Sequence, residues 1–177
     1  TVAQKDPDLE NPAFEDLHKI GTVGQIVKLL EMPDGSTTAI IQGRKRMILT
    51  EMVSSDPYFK ARVRILPESK PESFSKDFDA IVGSLKDLSL KIIKINPNIS
   101  PEASFAIKNI ENNTYLINFV CSNTDIKVQD KQKLLEINSM RDRGYALLEY
   151  LVQEIQVLEL KNELQSNADE ISVNPFK

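Results

Sequence analysis

Histidine and cysteine are nearly absent: the 177 residues hold one of each, His18 and Cys121. A structural zinc site of the Cys/His type needs about four such ligands, so one copy of this chain cannot build it. A lone cysteine also excludes an internal disulfide, which suits a reducing, cytoplasmic setting. A nucleophile–histidine–carboxylate triad has only His18 to draw on, between Leu17 and Lys19 in an expected loop, where a surface histidine is the plainer reading. Cys121 lies among Phe119, Val120 and Ser122 on an apolar helical stretch, the setting of a small buried hydrophobe rather than a reactive thiol. Glycine is sparse as well. None of the six, at 21, 24, 35, 43, 83 and 144, clusters ahead of a Lys-Ser or Lys-Thr pair, so no loop cradles a phosphate and no cofactor site is expected in this segment. Long apolar runs are missing too: nothing approaches the roughly 18 residues of a membrane span, and the start lacks the basic and apolar regions of a signal peptide. Serines and lysines can be paired on paper many times over, and no spacing singles out one pair.

What is present is the composition of an ordinary soluble globular protein, with 41% apolar and 27% charged residues and a pI near 5.2. The length allows one domain or two small ones. Twenty-two basic against 26 acidic residues leave a net charge of −4, which argues against a general nucleic-acid or anionic-membrane binder. The charge is unevenly spread. Residues 43–66 hold Arg44, Lys45, Arg46, Lys60, Arg62 and Arg64 against Glu51 and Asp56, a local +4, whereas residues 149–170 hold six acidic residues against Lys161, a local −5.

The first part of the chain carries antiparallel-sheet signals. Residues 21–30 are rich in β-branched and apolar types and run into Pro33-Asp34-Gly35-Ser36, a hairpin turn in which glycine accepts positive φ. A return strand over residues 37–42 is expected to end at Gly43, another to cover residues 46–52, and Ser54-Ser55-Asp56-Pro57 to make the next turn. In the last strand Phe59, Ala61, Val63 and Ile65 alternate with Lys60, Arg62 and Arg64, so the apolar set is expected to enter a core and the basic set to face water. That basic stripe, with Arg44, Lys45 and Arg46, reads first as a solvated face guarding an edge strand from mispairing and second as a dock for phosphates or acidic segments; aromatic residues of the base-stacking kind are not interleaved with it. Ahead of these strands, Asp6-Pro7 and Asn11-Pro12 mark a loop, and residues 12–18 form a short helical turn.

Beyond residue 67 the periodicity changes. Residues 68–75 read as a linker, and Phe78, Ile81, Val82, Leu85, Leu88, Ile92 and Ile95 then lie on one helical stripe stopped by Pro97. Ser100-Pro101-Glu102 supplies a cap, a first-turn proline and an acidic first turn for a helix of about ten residues. Further helices are expected over 114–121 and 128–137. The last runs from about 141 to 164, roughly 36 Å, with Leu148, Leu151, Ile155 and Leu158 at heptad spacing as an intramolecular seam whose core ends near Leu160.

The order of these features resembles the N-terminal, substrate-binding domain of ATP-dependent Lon proteases. It is carried by Gln4-Lys5-Asp6, by Asp16-Leu17-His18-Lys19-Ile20-Gly21-Thr22-Val23 leading to Ile26, by Pro33-Asp34-Gly35, by Gln42-Gly43-Arg44-Lys45-Arg46 and by Pro57-Tyr58-Phe59-Lys60-Ala61. In the helical part Ile99-Ser100-Pro101-Glu102, Lys133-Leu134-Leu135-Glu136, Arg141 and the run from Glu154 to Lys161 continue it, so the match spans residues 3–164. The resemblance implies an α+β fold: an antiparallel PUA-like β-subdomain over 1–67, a linker over 68–75 and a helical bundle over 76–164 ending in a long helix. The family's first strands are expected ahead of Thr1, and 165–177 is expected to be a tail outside the family fold, either an expression remnant or disordered.

Functionally, the resemblance implies a non-catalytic segment that recognises unfolded or damaged protein substrates and helps a homohexamer assemble in protein quality control. ATP, Mg, the P-loop ATPase and the Ser–Lys peptidase dyad are implied for the full-length parent and not for this chain. Capture is expected on apolar surface between sheet and bundle, with Met47, Met52, Tyr58, Phe59 and Phe74 as candidate contacts, by packing or by edge-strand addition. The rival reading is a stand-alone PUA-like adaptor or RNA-binding module working through the basic stripe.

Overall fold

Residues 20–31 hold β-branched and apolar side chains up to a Met32-Pro33-Asp34-Gly35-Ser36 turn, and they form β1, Ile20–Glu31. The turn closes because Gly35, at φ +82°, donates its N–H to the Met32 carbonyl at 2.9 Å. Asp34 Oδ1 accepts from the Ser36 N–H at 2.9 Å and the Ser36 hydroxyl at 2.7 Å. The computed structural model describes residues 1–68 and 76–173, with side chains to 168; the linker expected over 68–75 and the candidate Phe74 thus lie, but for Glu68, outside the described residues.

The return strand β2, Thr37–Ser54, runs unbroken through Gly43, where the sequence suggested an end. It continues because the pairing with β1 shifts register between Val23 and Gly24, a bulge that carries the ladder past the Gly24–Gly43 pair. Gly24 is required there, since an added Cβ would fall 2.5 Å from Ile41 Cγ2. β3, Lys60–Ile65, follows a turn containing a cis Asp56–Pro57 peptide and pairs antiparallel with β2, giving the order β1-β2-β3. The opening residues are more regular than a loop. Thr1 exchanges backbone hydrogen bonds with Thr22, His18 donates to the Ala3 carbonyl at 2.9 Å and Lys5 to the Asp16 carbonyl at 2.7 Å. Phe14–Asp16 is a single 3-10 turn.

The chain divides into two compact units, Thr1–Glu68 and Ser69–Lys177. In the second, the apolar stripe of α1, Lys76–Ile95, buries Phe78, Ile81, Val82, Leu85 and Ile92. It packs with Leu116, Ile117 and Val120 of α3, Asn113–Asn123, and with Met140, Leu147, Leu151 and Ile155 of α5, Met140–Val173. Each such side chain contributes about 1.5–3 kcal/mol. Between α1 and α3, the helix α2 occupies Ala103–Asn109 rather than ten residues, because Ser100, Pro101 and Glu102 form a turn whose carbonyls accept from residues 103–105. Asn112 caps α3 by accepting from the Tyr115 N–H at 2.8 Å. α4 spans Val128–Glu136.

α5 has 34 residues and is therefore about 51 Å long. The helix continues past Leu164 to Val173, into the segment expected as a tail, and no glycine or proline interrupts it before Pro175. Its core side ends near Leu158, and it stays tied to α1 by Lys91–Glu159 at 2.7 Å and by Asn162 Nδ2 donating to the Ile95 carbonyl at 3.1 Å. The last of these satisfies a carbonyl that the end of α1 leaves open.

Candidate functional site

The register of the first unit sets one face of its sheet. Met47 lies opposite Ile65, Leu49 opposite Val63 and Met52 opposite Ala61, and cross-strand partners share a face. Over this face the pairing of residues 1–5 brings Val2, and the 3-10 turn brings Phe14 and Leu17. Gly21 allows the approach, since a Cβ there would fall 2.4 Å from the Thr1 carbonyl oxygen and 2.5 Å from Val2 Cγ1. Between these walls lies an open groove of about 270 Å³, floored by Met47, Leu49 and Met52 and flanked by Phe59, Ala61 and Val63, with Lys60 at its rim.

Three of the five apolar candidates meet here. Met47 is buried in the floor, Met52 is half-buried, and Phe59 is 46% exposed. Tyr58 is not in the lining; it is 64% exposed, with Lys60 Nζ 4.9 Å from its ring centroid. The apolar face of the last strand does not enter a core as expected. Val63 and Ile65 are 45% and 44% exposed, because the first unit's small cover of residues 1–17 reaches only part of a three-stranded sheet. Val2, Phe14 and Leu17 were not legible as site residues, since each comes from a segment without strand periodicity.

Arg62 and Arg64, which alternate with the groove-side residues, are exposed, and so is Lys60 at the groove's rim; all six residues of β3 are exposed. Arg62 reaches Glu51 at 3.5 Å, both side chains mostly in water. Arg44 is exposed and forks onto Gln25 Oε1 at 3.0 and 2.6 Å; Lys45 is exposed as well. Arg46 departs from the solvated stripe. It is 5% exposed, and burial lowers its pKa against the opposing attraction of Glu68. Cys121 is half-buried, and desolvation pushes its thiol up to about 11, so it carries almost no thiolate at neutral pH. Among the described residues no group of three His, Cys, Asp or Glu side chains is placed to hold a metal ion, and no helix is long and apolar enough to cross a membrane.

A family model described as the ATP-dependent protease La (LON) substrate-binding domain matches residues 1–153. The chain belongs to the Lon substrate-binding domain family. Among curated relatives, the Lon protease of Flavobacterium johnsoniae is 47% identical over 165 residues, 93% of this chain and 20% of that protein. The Lon protease of Porphyromonas gingivalis is 42% identical over 171 residues, 96% of this chain and again 20% of its own length. The chain thus spans about a fifth of the Lon proteases it matches. The fold agrees with that of the N-terminal domain of Mycobacterium avium complex Lon protease, at a TM-score of 0.66 and 16% identity, covering 80% of this chain and 74% of that one. The Xanthomonas campestris Lon N-terminal domain protein aligns at 0.53 and 14% identity, over 78% and 71%. The α+β architecture inferred from the sequence is the one these domains share: an antiparallel sheet, then helices ending in a long one.

Proposed function

We propose that this chain is the substrate-receiving segment of a cytoplasmic ATP-dependent Lon protease, which engages unfolded or damaged protein and contributes to homohexamer assembly. ATP, Mg and Ser–Lys peptide cleavage belong, in this reading, to the rest of the parent polypeptide. The observation that carries it is the open groove with Met47 and Met52 in its floor and Phe59 at its side. Methionine side chains adapt their shape to varied apolar partners, which is what capture of many different unfolded segments requires. Tyr58 beside the groove, and Phe74 farther along the chain, are further proposed contacts. For assembly, α5 offers exposed Val157 near the end of its packed part and exposed Leu160 and Leu164 beyond it.

Titration of a fluorescently labelled, permanently unfolded protein into the 177-residue chain tests the substrate reading. Binding is expected to weaken roughly tenfold in Phe59→Ala and in Met52→Glu, the scale of losing one central apolar contact. Equal affinity in both variants would remove the groove from the reading, and no binding at all would leave assembly alone. The same titration with the full-length parent protease distinguishes an open groove from one occupied by the parent's own polypeptide, in which case the binding seen for this chain disappears.

A further inference from the structure

The two ends of α4 are held in different ways. Its C-terminal end is anchored by burial: Leu134 is 1% exposed, and Arg143 of α5 donates through Nε and Nη2 to the Ile137 carbonyl at 3.2 and 2.6 Å. Its N-terminal end, with the connection 124–127 from α3, is held by polar groups. Lys131 Nζ donates to the Ser122 carbonyl at 3.0 Å, and the Tyr150 hydroxyl of α5 donates to Asp130 Oδ1 at 3.2 Å. One turn beyond Tyr150, the Glu154 carboxylate accepts from the Asp125 N–H. Ile126, the one apolar residue of the connection, is partly buried against the core.

The contact at Glu154 is internally opposed. Its Oε2 is buried with no hydrogen-bond partner among the described residues, and the negative charge of Asp125 acts on it across the same contact. An ionised carboxylate there lacks the water that would stabilise it in solution, whereas a protonated one carries no charge to desolvate. We infer that the α3–α4 connection and the first turn of α4 form a clasp, which closes on α5 when Glu154 is protonated and loosens when Glu154 is ionised. Loosening brings Ile126 toward solvent while Leu134 and Arg143 keep the other end of α4 in place.

The surrounding charges leave Glu154 as the group that titrates the clasp. From α4, Asp130 is held below the ordinary aspartate range by its hydrogen bond to Lys133, and the same pairing holds Lys133 above its own. Burial and Asp130 push the Tyr150 hydroxyl up, and on α3 burial pushes the Cys121 thiol up to about 11. These four groups therefore keep one charge state between about pH 5 and 8. Lys127 and Lys131 add positive charge at this end of α4, and from α1 Lys91 is engaged by Glu159 farther along α5. Burial and Asp125 instead move Glu154 upward from the glutamate range, toward this window. A carboxyl raised in the closed state favours closure at low pH, and the advantage is lost as pH climbs through that raised value.

Amide hydrogen exchange of the 177-residue chain, followed residue by residue by NMR and corrected for the intrinsic effect of pH on exchange, tests the clasp. The N–H groups of Ile126, Asp130 and Lys131 bond within the connection and the first turn of α4. Their protection is expected to rise roughly threefold as pH falls from about 7.5 to about 5.5, a modest factor because the carboxyl is partly solvated. The Leu134 amide, at the other end of the helix, is expected to keep its protection. Glu154→Gln should hold the three amides at high protection across the range, and Asp125→Asn, at an exposed position, should narrow their response. Protection that ignores pH in the parent sequence would overturn the inference. So would an equal rise at Leu134, since the whole unit would then be responding, or a pH response that survives in Glu154→Gln. Should Glu154→Gln not fold, an unchanged response in Asp125→Asn would overturn it.

Discussion

Arg143 and Glu154 both bring charge toward the packed side of α5, and they meet opposite conditions. Arg143 is 2% exposed, yet Nε and Nη2 donate to the Ile137 carbonyl at 3.2 and 2.6 Å and Nη1 to Asn118 Oδ1 at 2.7 Å. It thereby fastens the α4–α5 connection to α3, and charge-assisted bonds of this kind offset its desolvation. Glu154 has one carboxylate oxygen buried without a hydrogen-bond partner, and burial first, then the charge of Asp125, raise its pKa. A carboxyl whose pKa rises on folding favours the native state below its unfolded value, and that advantage is lost as pH climbs through the folded one. Glu154→Gln is therefore expected to raise the thermal midpoint at pH 7–8 by about 1–2 °C, a small effect because the group is partly solvated. The difference should close as pH falls through the raised pKa toward the ordinary glutamate range, which circular-dichroism melts across pH would check. Neither role was legible in the sequence, because an isolated charge within a helical repeat has the pattern of a surface position.

The elements show the same contrast between local pattern and packing. Gly83 and Gly144 are both interior helical glycines, and sequence alone assigns each the same penalty of about 1 kcal/mol relative to alanine. In α1 a Cβ at Gly83 meets nothing within 4 Å, whereas in α5 a Cβ at Gly144 falls 2.9 Å from Ile81 Cγ2 and 3.3 Å from Ile117 Cδ1. Gly83→Ala is expected to stabilise the chain by about 0.5–1 kcal/mol in urea titrations. Gly144→Ala is expected to destabilise it by about 1–2 kcal/mol, since overpacking a close helix contact outweighs the propensity gain. The stripe of α1 was readable from its 3.6-residue period, and the alternation around β3 from its period of two. The continuity of β2 through Gly43 was not, because a bulge depends on which residue the opposite strand places there.

At the scale of the whole chain, the large apolar core belongs to the helical unit, where α1, α3 and α5 bury aliphatic side chains to near zero exposure. The sheet unit buries only Met47 and Leu49 among its large apolar residues and leaves Ile26, Leu29, Ile40 and Ile41 about half exposed. Residues 76–173 expressed alone are therefore expected to keep their helical circular dichroism and a cooperative melt, while residues 1–68 alone should bind a hydrophobic dye and melt broadly. A helical unit that lost its cooperative transition on separation would show that its core depends on the rest of the chain. The candidate site was partly legible at this scale: Met47, Met52 and Phe59 were read as apolar surface, but their convergence on one groove with Val2, Phe14 and Leu17 was not.

The sequence by itself determined how the halves of this chain are built and which motifs it lacks. One histidine and one cysteine cannot assemble a Cys/His zinc site, the six scattered glycines form no phosphate-loop motif, and two periodicities separate sheet from helices. Tertiary structure decided the rest. Register brought Met47, Met52 and Phe59 to one groove and buried Arg46, while helix packing buried Arg143 and left less room for a Cβ at Gly144 than at Gly83. The physical reason is that periodicity fixes which side a residue faces, whereas burial and contact depend on what another segment, distant in sequence, places opposite it.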